Sequence, residues 1–388
     1  MGYDVETSVI KRYEEGAKQP QPSLCCPTQY DDQYLQIIPD EIIAKDYGCG
    51  DPTRYVNPGE IVLDLGSGAG KNCYIIAQKV GATGQVIGVD FNDEMLNLAR
   101  KYQDQIADQL GYHNVQFVKG KIQDLKLPLA KVEEYLSNHT IANLDQLREF
   151  EGMGAFWREN EPLINDNSID VVVSNCVLNL VKSDDKRQLF NEIYRVLKKG
   201  GRAVISDIVS DENIPQEMMN DPDLWSGCLA GAFREDLFLK MFADAGFYGI
   251  EIIDRQDTPW QVINGIEFRS LTVRAYKGKE GECKERNQAV IYKGPWRKVE
   301  DDDGHVFYRG ERMAVCDKTF NILTEENSPY QNSIIPVSPL QEIPLENATD
   351  FNCQTNRRGQ KKAALRSPQE TKGNYYIDNK IESKPSCC

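Results

Sequence analysis

Histidine is nearly missing from this chain. His113, His139 and His305 are the only three in 388 residues. They are too scattered to complete a zinc site, and they leave a Ser–His–Asp type of general base without a candidate. No CxxC occurs, so the commonest short zinc and dithiol motifs are absent too. No apolar run approaches the roughly 18 residues that span a bilayer. The opening MGYDVETSVIKRYEEG is charged and lacks the apolar core of a signal peptide. Glu6 stands where a myristoylation motif carries Ser or Thr. A cytoplasmic protein is expected, without membrane attachment. Bases are also outnumbered, with 45 Lys and Arg against 60 Asp and Glu. A net charge of −15 argues against binding the nucleic-acid backbone, which needs clustered Lys and Arg. After Phe351 the balance reverses, with eight basic residues against three acids. That composition reads as a solvated, disordered tail.

Cysteine is plentiful instead, with eleven residues. In a reducing compartment thiols serve as soft ligands or redox groups more often than as structural disulfides. Cys25–Cys26 and Cys387–Cys388 are vicinal pairs. The first pair lies in the Pro-rich loop KQPQPSLCCPTQY, the second at the end of the tail.

The chain is organised around IVLDLGSGAG, residues 61–70. A short apolar run reads as a buried parallel strand. Gly66, Gly68 and Gly70 follow directly, which allows a tight turn and close approach of backbone N–H groups to a ligand. Residues 71–80 read as a helix, so this turn meets a helix N-terminus, where unpaired N–H groups attract polar groups. A second strand, QVIGVD, ends in Asp90, placed to take ribose hydroxyls. The third glycine falls at 70 rather than 71, so the dinucleotide spacing GxGxxG is absent.

Length suggests two or three domains. Residues 1–60 read as helical segments around the Cys25–Cys26 loop, with helices over 7–17 and 32–47. Residues 61–276 alternate strands and helices, with strands at 61–65, 85–90, 115–119, 169–174, 202–207, 250–254 and 268–276. Helices are expected over 71–80, 93–110, 184–197 and 215–246. An insertion at 129–167 interrupts this alternation. The last two strands, lacking an obvious helix between them, suggest an antiparallel pair at the sheet edge. Residues 277–327 alternate like a small β-rich module holding Cys283 and Cys316, and 328–388 look irregular.

Within the α/β region, Cys73 sits in a periodic helical pattern and reads as core. Cys49 (YGCG), Cys176 (SNCVLNLV) and Cys228 (WSGCLAGA) sit in Gly- or Asn-rich stretches instead. Thiols above a nucleoside cofactor suit a soft electrophile or a soft element. With histidine so scarce, chemistry that needs no base fits best: an attacking atom bearing its own lone pair.

These motifs resemble a family. ILDLGSGAG-like glycines, GVD and VVSNCVLNLV look like class I S-adenosylmethionine-dependent methyltransferases. YGCG, SNCVLNLV and WSGCLAGA together resemble the arsenite methyltransferases, over about residues 20–276. The fold implied is α/β: a Rossmann-like, mostly parallel seven-stranded sheet with helices on both faces, plus the small β-containing C-terminal module. The resemblance implies that As(III), arriving as a thiol adduct, transfers to Cys49, Cys176 and Cys228, and that its lone pair attacks the methyl group. Asp64, Gly66, Ser67 and Gly68 would hold the methionine and ribose portion, and Asp90 the ribose hydroxyls. Phe91 and Met95 would line the adenine, Ile122 and Gln123 would edge the base, and Asn175 would help fix the methionine end. Cys25 or Cys26 would form a disulfide with Cys49, reopened by an external thiol such as glutathione or thioredoxin. The family usually has one N-terminal thiol where this chain has a pair, and the 129–167 insertion is longer than in the animal enzymes. A monomer is expected. Alternatives are methylation of another small molecule, or As(III) binding without catalysis.

Overall fold

The computed structural model describes residues 5–21, 28–325, 328–339 and 342–352. Cys25, Cys26, Cys387 and Cys388 lie outside the described residues. The chain divides into two compact units, 1–277 and 278–388.

The first unit opens with α1 (Val5–Lys18), α2 (Asp32–Leu35) and α3 (Asp40–Ala44). The glycine-rich stretch follows as β1 (Ile61–Leu65) and α4 (Lys71–Val80), then β2 (Gln85–Asp90). Next come α5 (Asp93–Lys101), α6 (Gln103–Leu110) and β3 (Val115–Lys119). The insertion forms α7 (Leu129–Asn138) and α8 (Leu144–Asn160), and β4 (Ile169–Asn175), α9 (Lys186–Val196) and β5 (Leu197–Ser210) complete the parallel strands. The unit closes with α10 (Gln216–Met219), α11 (Pro222–Ser226), β6 (Phe233–Arg234), α12 (Glu235–Asp244), β7 (Tyr248–Arg255), β8 (Gln261–Ile263) and β9 (Ile266–Tyr276).

One sheet runs β3-β2-β1-β4-β5-β9-β7, with β6 against β5 and β8 against β9. The first five strands of this path are parallel, and β9 is antiparallel to both β5 and β7. Successive residues serve opposite faces. Leu63, Leu65 and Val172 enter one core, with α9 and α12, while Val62, Val171 and Val173 enter the other, with α4 and α5. Burial on both faces is why these strands read as continuous apolar runs. The expected class I methyltransferase fold is borne out. The two extra short strands sit off the seven-strand path. Strand order reverses between β1 and β4, and the carboxyl ends of strands at such a reversal form the ligand crevice of open α/β sheets.

Several local expectations are corrected. The 93–110 helix divides at Tyr102, whose φ of −107° caps α5 and opens α6. The span 215–246 is not one helix. Pro215 and Pro222 each start a short helix, and 227–232 is irregular before β6 and α12. Lys198–Gly201 does not end α9 but belongs to β5, with Gly200 at φ +81° absorbing a register shift against β4. A hairpin turn at Asn264–Gly265 (φ +53° and +87°) joins β8 to β9, the Asn-Gly pair that type I′ turns favour.

The second unit holds β10 (Lys284–Glu285), β11 (Ala289–Tyr292), β12 (Lys298–Glu300), β13 (Val306–Tyr308), β14 (Arg312–Ala314), α13 (Asp317–Thr324), β15 (Ile334–Val337) and β16 (Thr349–Asp350). β11 lies between β14 and β15, and β16 pairs with β10. Ordered strands therefore occur within the stretch read as irregular. Ile334 packs with Val290, Phe307 and Leu323, and Pro336 is tolerated because β15 is an edge strand. Cys316 is buried and caps α13, accepting from Thr319 N at 3.4 Å.

Candidate active site

The turn after β1 is held by β2. Gly66 N and Ser67 N donate to Val89 O at 2.8 and 3.0 Å. Gly68 N donates to Asp90 Oδ2 at 2.9 Å, and Asn92 N to Asp90 Oδ1 at 2.9 Å. Gly66, Gly68 and Gly70 all have positive φ. At Gly66 a Cβ would lie 2.4 Å from Val177 Cγ1, so only glycine lets the turn pass under the β4 loop. Beside this turn opens a cleft of about 1070 Å³, counting space open to solvent. Gly66, Ser67, Gly68, Asp90, Phe91, Met95, Ile122, Gln123, Asn175 and Cys176 line it, ten of the residues that the sequence put forward.

Whether S-adenosylmethionine fits can be tested on unsatisfied groups. Ser67 Oγ and Asn72 Oδ1 are buried at the cleft with no hydrogen-bond partner among the described residues. Such orphans in a native fold call for a partner. The Asp90 carboxylate accepts backbone N–H groups of Gly68, Asn92 and Phe91, and its two oxygens offer about four lone-pair sites, so acceptor capacity remains for a diol. Phe91 and Met95 supply an apolar wall. The residues fit a nucleoside bearing an amino-acid tail. Asp64 does not line the cleft. It is buried beneath the turn, where burial pushes its carboxyl up to about 7 against the lowering effect of Cys73 Sγ, which donates at 3.3 Å.

The thiols converge just beyond Gly66. Cys49, Cys176 and Cys228 are buried together with Ile208, Met218 and Phe268. The sulfurs of Cys49 and Cys176 and a carboxylate oxygen of Asp207 lie within 4.8 Å of one another. Cys228 Sγ donates to Cys176 O at 3.1 Å, which sets the two thiols beside each other. Cys176 and Cys228 both sit at φ +63°, a costly backbone for a residue with a Cβ, and one that marks functional sites. The Cys228 bond lowers the Cys176 thiol, yet the bond to Cys49, burial and the neighbouring Asp207 outweigh it and raise it well above its ordinary range. Its bond to Cys176 and then burial raise Cys228 likewise. Cys176 and Cys228 therefore rest as neutral thiols.

Each thiol comes from a different support. Asn175 fixes Cys49: its Oδ1 accepts from Cys49 N and Gly50 N at 2.8 and 3.2 Å, and its Nδ2 donates to Gly50 O and Tyr30 Oη at 2.8 and 3.0 Å. The amide is thus fully engaged by the thiol loop and Tyr30. Gly48 and Gly50 permit this closeness, since a Cβ on either would fall 2.5–2.6 Å from Asn175 or Ser206. Asn179 Nδ2 donates to Cys228 O and Ile208 O, and Asn179 N to Asp207. Burial pushes Asp207 up to about 7 despite backbone donors and Lys186. Lys186, buried and bonded to Gly231 O, is lowered by burial to about 8.

Sequence reading missed Asp207, Asn72, Tyr13 and Tyr47. Asp207 carried a signal: like Asp90, it is an acid at the carboxyl end of a parallel strand. Tyr13 was visible only as one face of the opening helix.

Comparison with known proteins gives the following. The profile of a methyltransferase domain matches residues 56–152 and 156–246, and that of a domain of unknown function matches 279–376. A protein of Aquipseudomonas alcaligenes named arsenite methyltransferase is 33% identical over 322 residues, covering 78% of this chain and 82% of that protein. Its namesake from Homo sapiens is 30% identical, covering 79% and 75%. Both alignments exceed the length of the first unit and so include part of the second. The crystal structure of an arsenic(III) S-adenosylmethionine methyltransferase from Chlamydomonas reinhardtii aligns with 28% identity and a TM-score of 0.54, covering 84% of this chain and 99% of that one.

Proposed function

Because the chain belongs to the arsenite methyltransferase family, we propose that it methylates As(III) held on Cys49, Cys176 and Cys228. One observation carries the assignment of the site. Three thiols from separate parts of the chain meet at the carboxyl edge of the sheet, directly beside the cofactor cleft. The Cys49 and Cys176 sulfurs lie within 4.8 Å of each other and Cys228 packs in the same buried cluster, and soft ligands gathered in this way suit a soft trivalent element.

In this reading a thiol adduct of arsenic exchanges its ligands for protein sulfur. For each As–S bond formed to the protein, one bond to a carrier thiol breaks, and the neutral cysteine passes its proton to the departing thiolate. Three cysteines leave the arsenic lone pair free. Ser67, Asn72, Asp90, Phe91 and Met95 would hold S-adenosylmethionine, which when bound supplies an electrophilic methyl group on a sulfonium sulfur. Asn175 and Asn179 fix the thiols relative to that cleft. Holding reactants at attack distance contributes on the order of 7–11 kcal/mol. The thiol of Cys25 or Cys26 would then attack the Cys49 sulfur on pentavalent methylated arsenic, breaking that As–S bond and leaving its electron pair on arsenic, which gives trivalent arsenic, a disulfide and one proton. Glutathione or thioredoxin would return the electrons. We assign the chain to the cytoplasm as a monomer. Among the described residues no helix is long and apolar enough to cross a membrane.

The test is incubation with arsenite, glutathione and methyl-labelled S-adenosylmethionine, followed by chromatography coupled to elemental mass detection. Labelled methylarsenicals are expected, and their formation collapses in Cys176→Ser and Cys228→Ser. Absence of methylated arsenic from the parent chain overturns the assignment.

A further inference from the structure

The first helix touches both halves of the site. Glu6, Val9 and Tyr13 of α1 line the cofactor cleft. On its far side Tyr13 Oη lies 3.8 Å from Cys228 Sγ. Val9 packs with Trp225 and Ala230, which flank Cys228, and with Phe91 of the cleft. Arg12 Nη1 donates to Ser226 Oγ at 3.0 Å and Asp223 O at 3.1 Å, gripping the turn that leads into Cys228. Polar ties secure the rest of the helix. Glu6 pairs with Lys121 at 2.5 Å, Asn92 Nδ2 donates to Ile10 O at 3.3 Å, and Tyr47 Oη donates to Gly16 O at 3.1 Å.

We propose that α1 is a strap across the cleft and that Tyr13 is a positioning residue, setting the third arsenic-binding thiol, Cys228, against Cys176. The inference rests on the arsenite-binding reading above. Cys228 holds a left-handed backbone in a segment without regular structure, a conformation that persists only where its surroundings impose it. The Cys228 O bond to Asn179 and the bond from its sulfur to Cys176 O come from the β4 side. The Arg12 and Tyr13 contacts come from the opposite side, from α1. The thiol is thus clamped between β4 and a helix that also borders the methyl donor's cleft. Docking of α1 completes the trithiol set and narrows the cleft in one movement. When Cys228 surrenders its proton to arsenic's departing carrier thiolate, the Tyr13 hydroxyl is a donor left facing that sulfur.

Three full-length variants test this: Tyr13→Phe, which keeps the ring; Tyr13→Ala; and Arg12→Ala, which frees the turn before Cys228. Alkylation of individual cysteines by iodoacetamide, followed by peptide mass spectrometry, reads positioning without arsenic. Cys228 is expected to react at least about fivefold faster in Arg12→Ala and Tyr13→Ala, while Cys316 in the other unit stays unchanged. In steady state, Tyr13→Phe should raise KM for arsenite about fivefold and leave KM for S-adenosylmethionine within about twofold, the loss expected for one hydrogen bond to sulfur. X-ray absorption should show three As–S bonds in the parent and fewer in Arg12→Ala. An unchanged Cys228 alkylation rate in Arg12→Ala and Tyr13→Ala overturns the strap. Full rescue by Phe overturns the hydroxyl's role. A parent chain that binds no arsenite defeats the functional reading instead, and the alkylation rates still decide whether the helix positions Cys228.

Discussion

Asn175→Ala removes a side chain that ties the Cys49 loop to the end of β4 through three hydrogen bonds and holds Tyr30 Oη through a fourth. Three of those bonds are buried, and they serve Cys49 N, Gly50 N and Gly50 O. Each net hydrogen bond contributes about 0.5–1.5 kcal/mol, and each buried group left unpaired costs about 1–3 kcal/mol. With partial rescue by water, the loss should be about 3 kcal/mol. For a unit of this size that lowers Tm by roughly 6–12 °C. Asn175→Asp is a sharper probe. It keeps the acceptor for the two N–H groups but sets a carboxylate oxygen against Gly50 O, so it should lose the loop's position with less loss of packing. Thermal melting and arsenite titration on both variants give the readout. Arsenite affinity is expected to drop at least about tenfold, and more than cofactor affinity does. A Tm within about 2 °C of the parent, with arsenite binding intact, would refute the view that this amide sets the Cys49 thiol.

Gly66→Ala should abolish cofactor binding, because its Cβ meets Val177 at 2.4 Å, whereas Gly68→Ala meets nothing within 4 Å and should cost only about 1–2 kcal/mol of backbone strain; calorimetric titration separates the two. Asp207 is raised from 3.8 to about 7, so between those values the folded state keeps a proton that the unfolded state has lost. Its contribution therefore falls as pH rises from about 4 to about 7, by on the order of 4 kcal/mol. Asp207→Asn should shrink the Tm difference between pH 5 and pH 8, and an unchanged difference would remove Asp207 from the account. Cys73→Ser can still donate to Asp64 and should leave arsenite stoichiometry unchanged; a loss of bound arsenic would show that Cys73 belongs to the ligand set.

The β1–turn–α4–β2 unit was legible because its signals are local. An apolar run, glycines at forced positive φ and a strand-ending acid all fall within about thirty residues of one another. The thiol stretches were legible by exclusion, since YGCG, SNCV and WSGCL break the periodicity that marks core positions. What sequence could not show is how the groups are used. Asn175, expected near the methionine end, lines the cleft and also holds the Cys49 loop through its amide. The divide between α5 and α6 at Tyr102 has no glycine or proline to announce it. Residues 215–246 look helical by apolar spacing, but prolines at 215 and 222 restart the chain and the small residues around Cys228 take irregular backbone. The roles of Tyr13 and Asp207 depend on packing between segments far apart in the chain.

That separation has a consequence for the folded state itself. Cys49, Cys176 and Cys228 follow different strands and loops, and no pair of them lies close enough in sequence to chelate in an unfolded chain. Arsenite bound to all three would act as a removable tertiary cross-link. It should raise Tm in proportion to the logarithm of its concentration once above its dissociation constant, and monothiol arsenicals able to make one bond should not. A nascent or denatured chain would hold these three thiols far apart, so capture of arsenic by this set waits on completion of the fold.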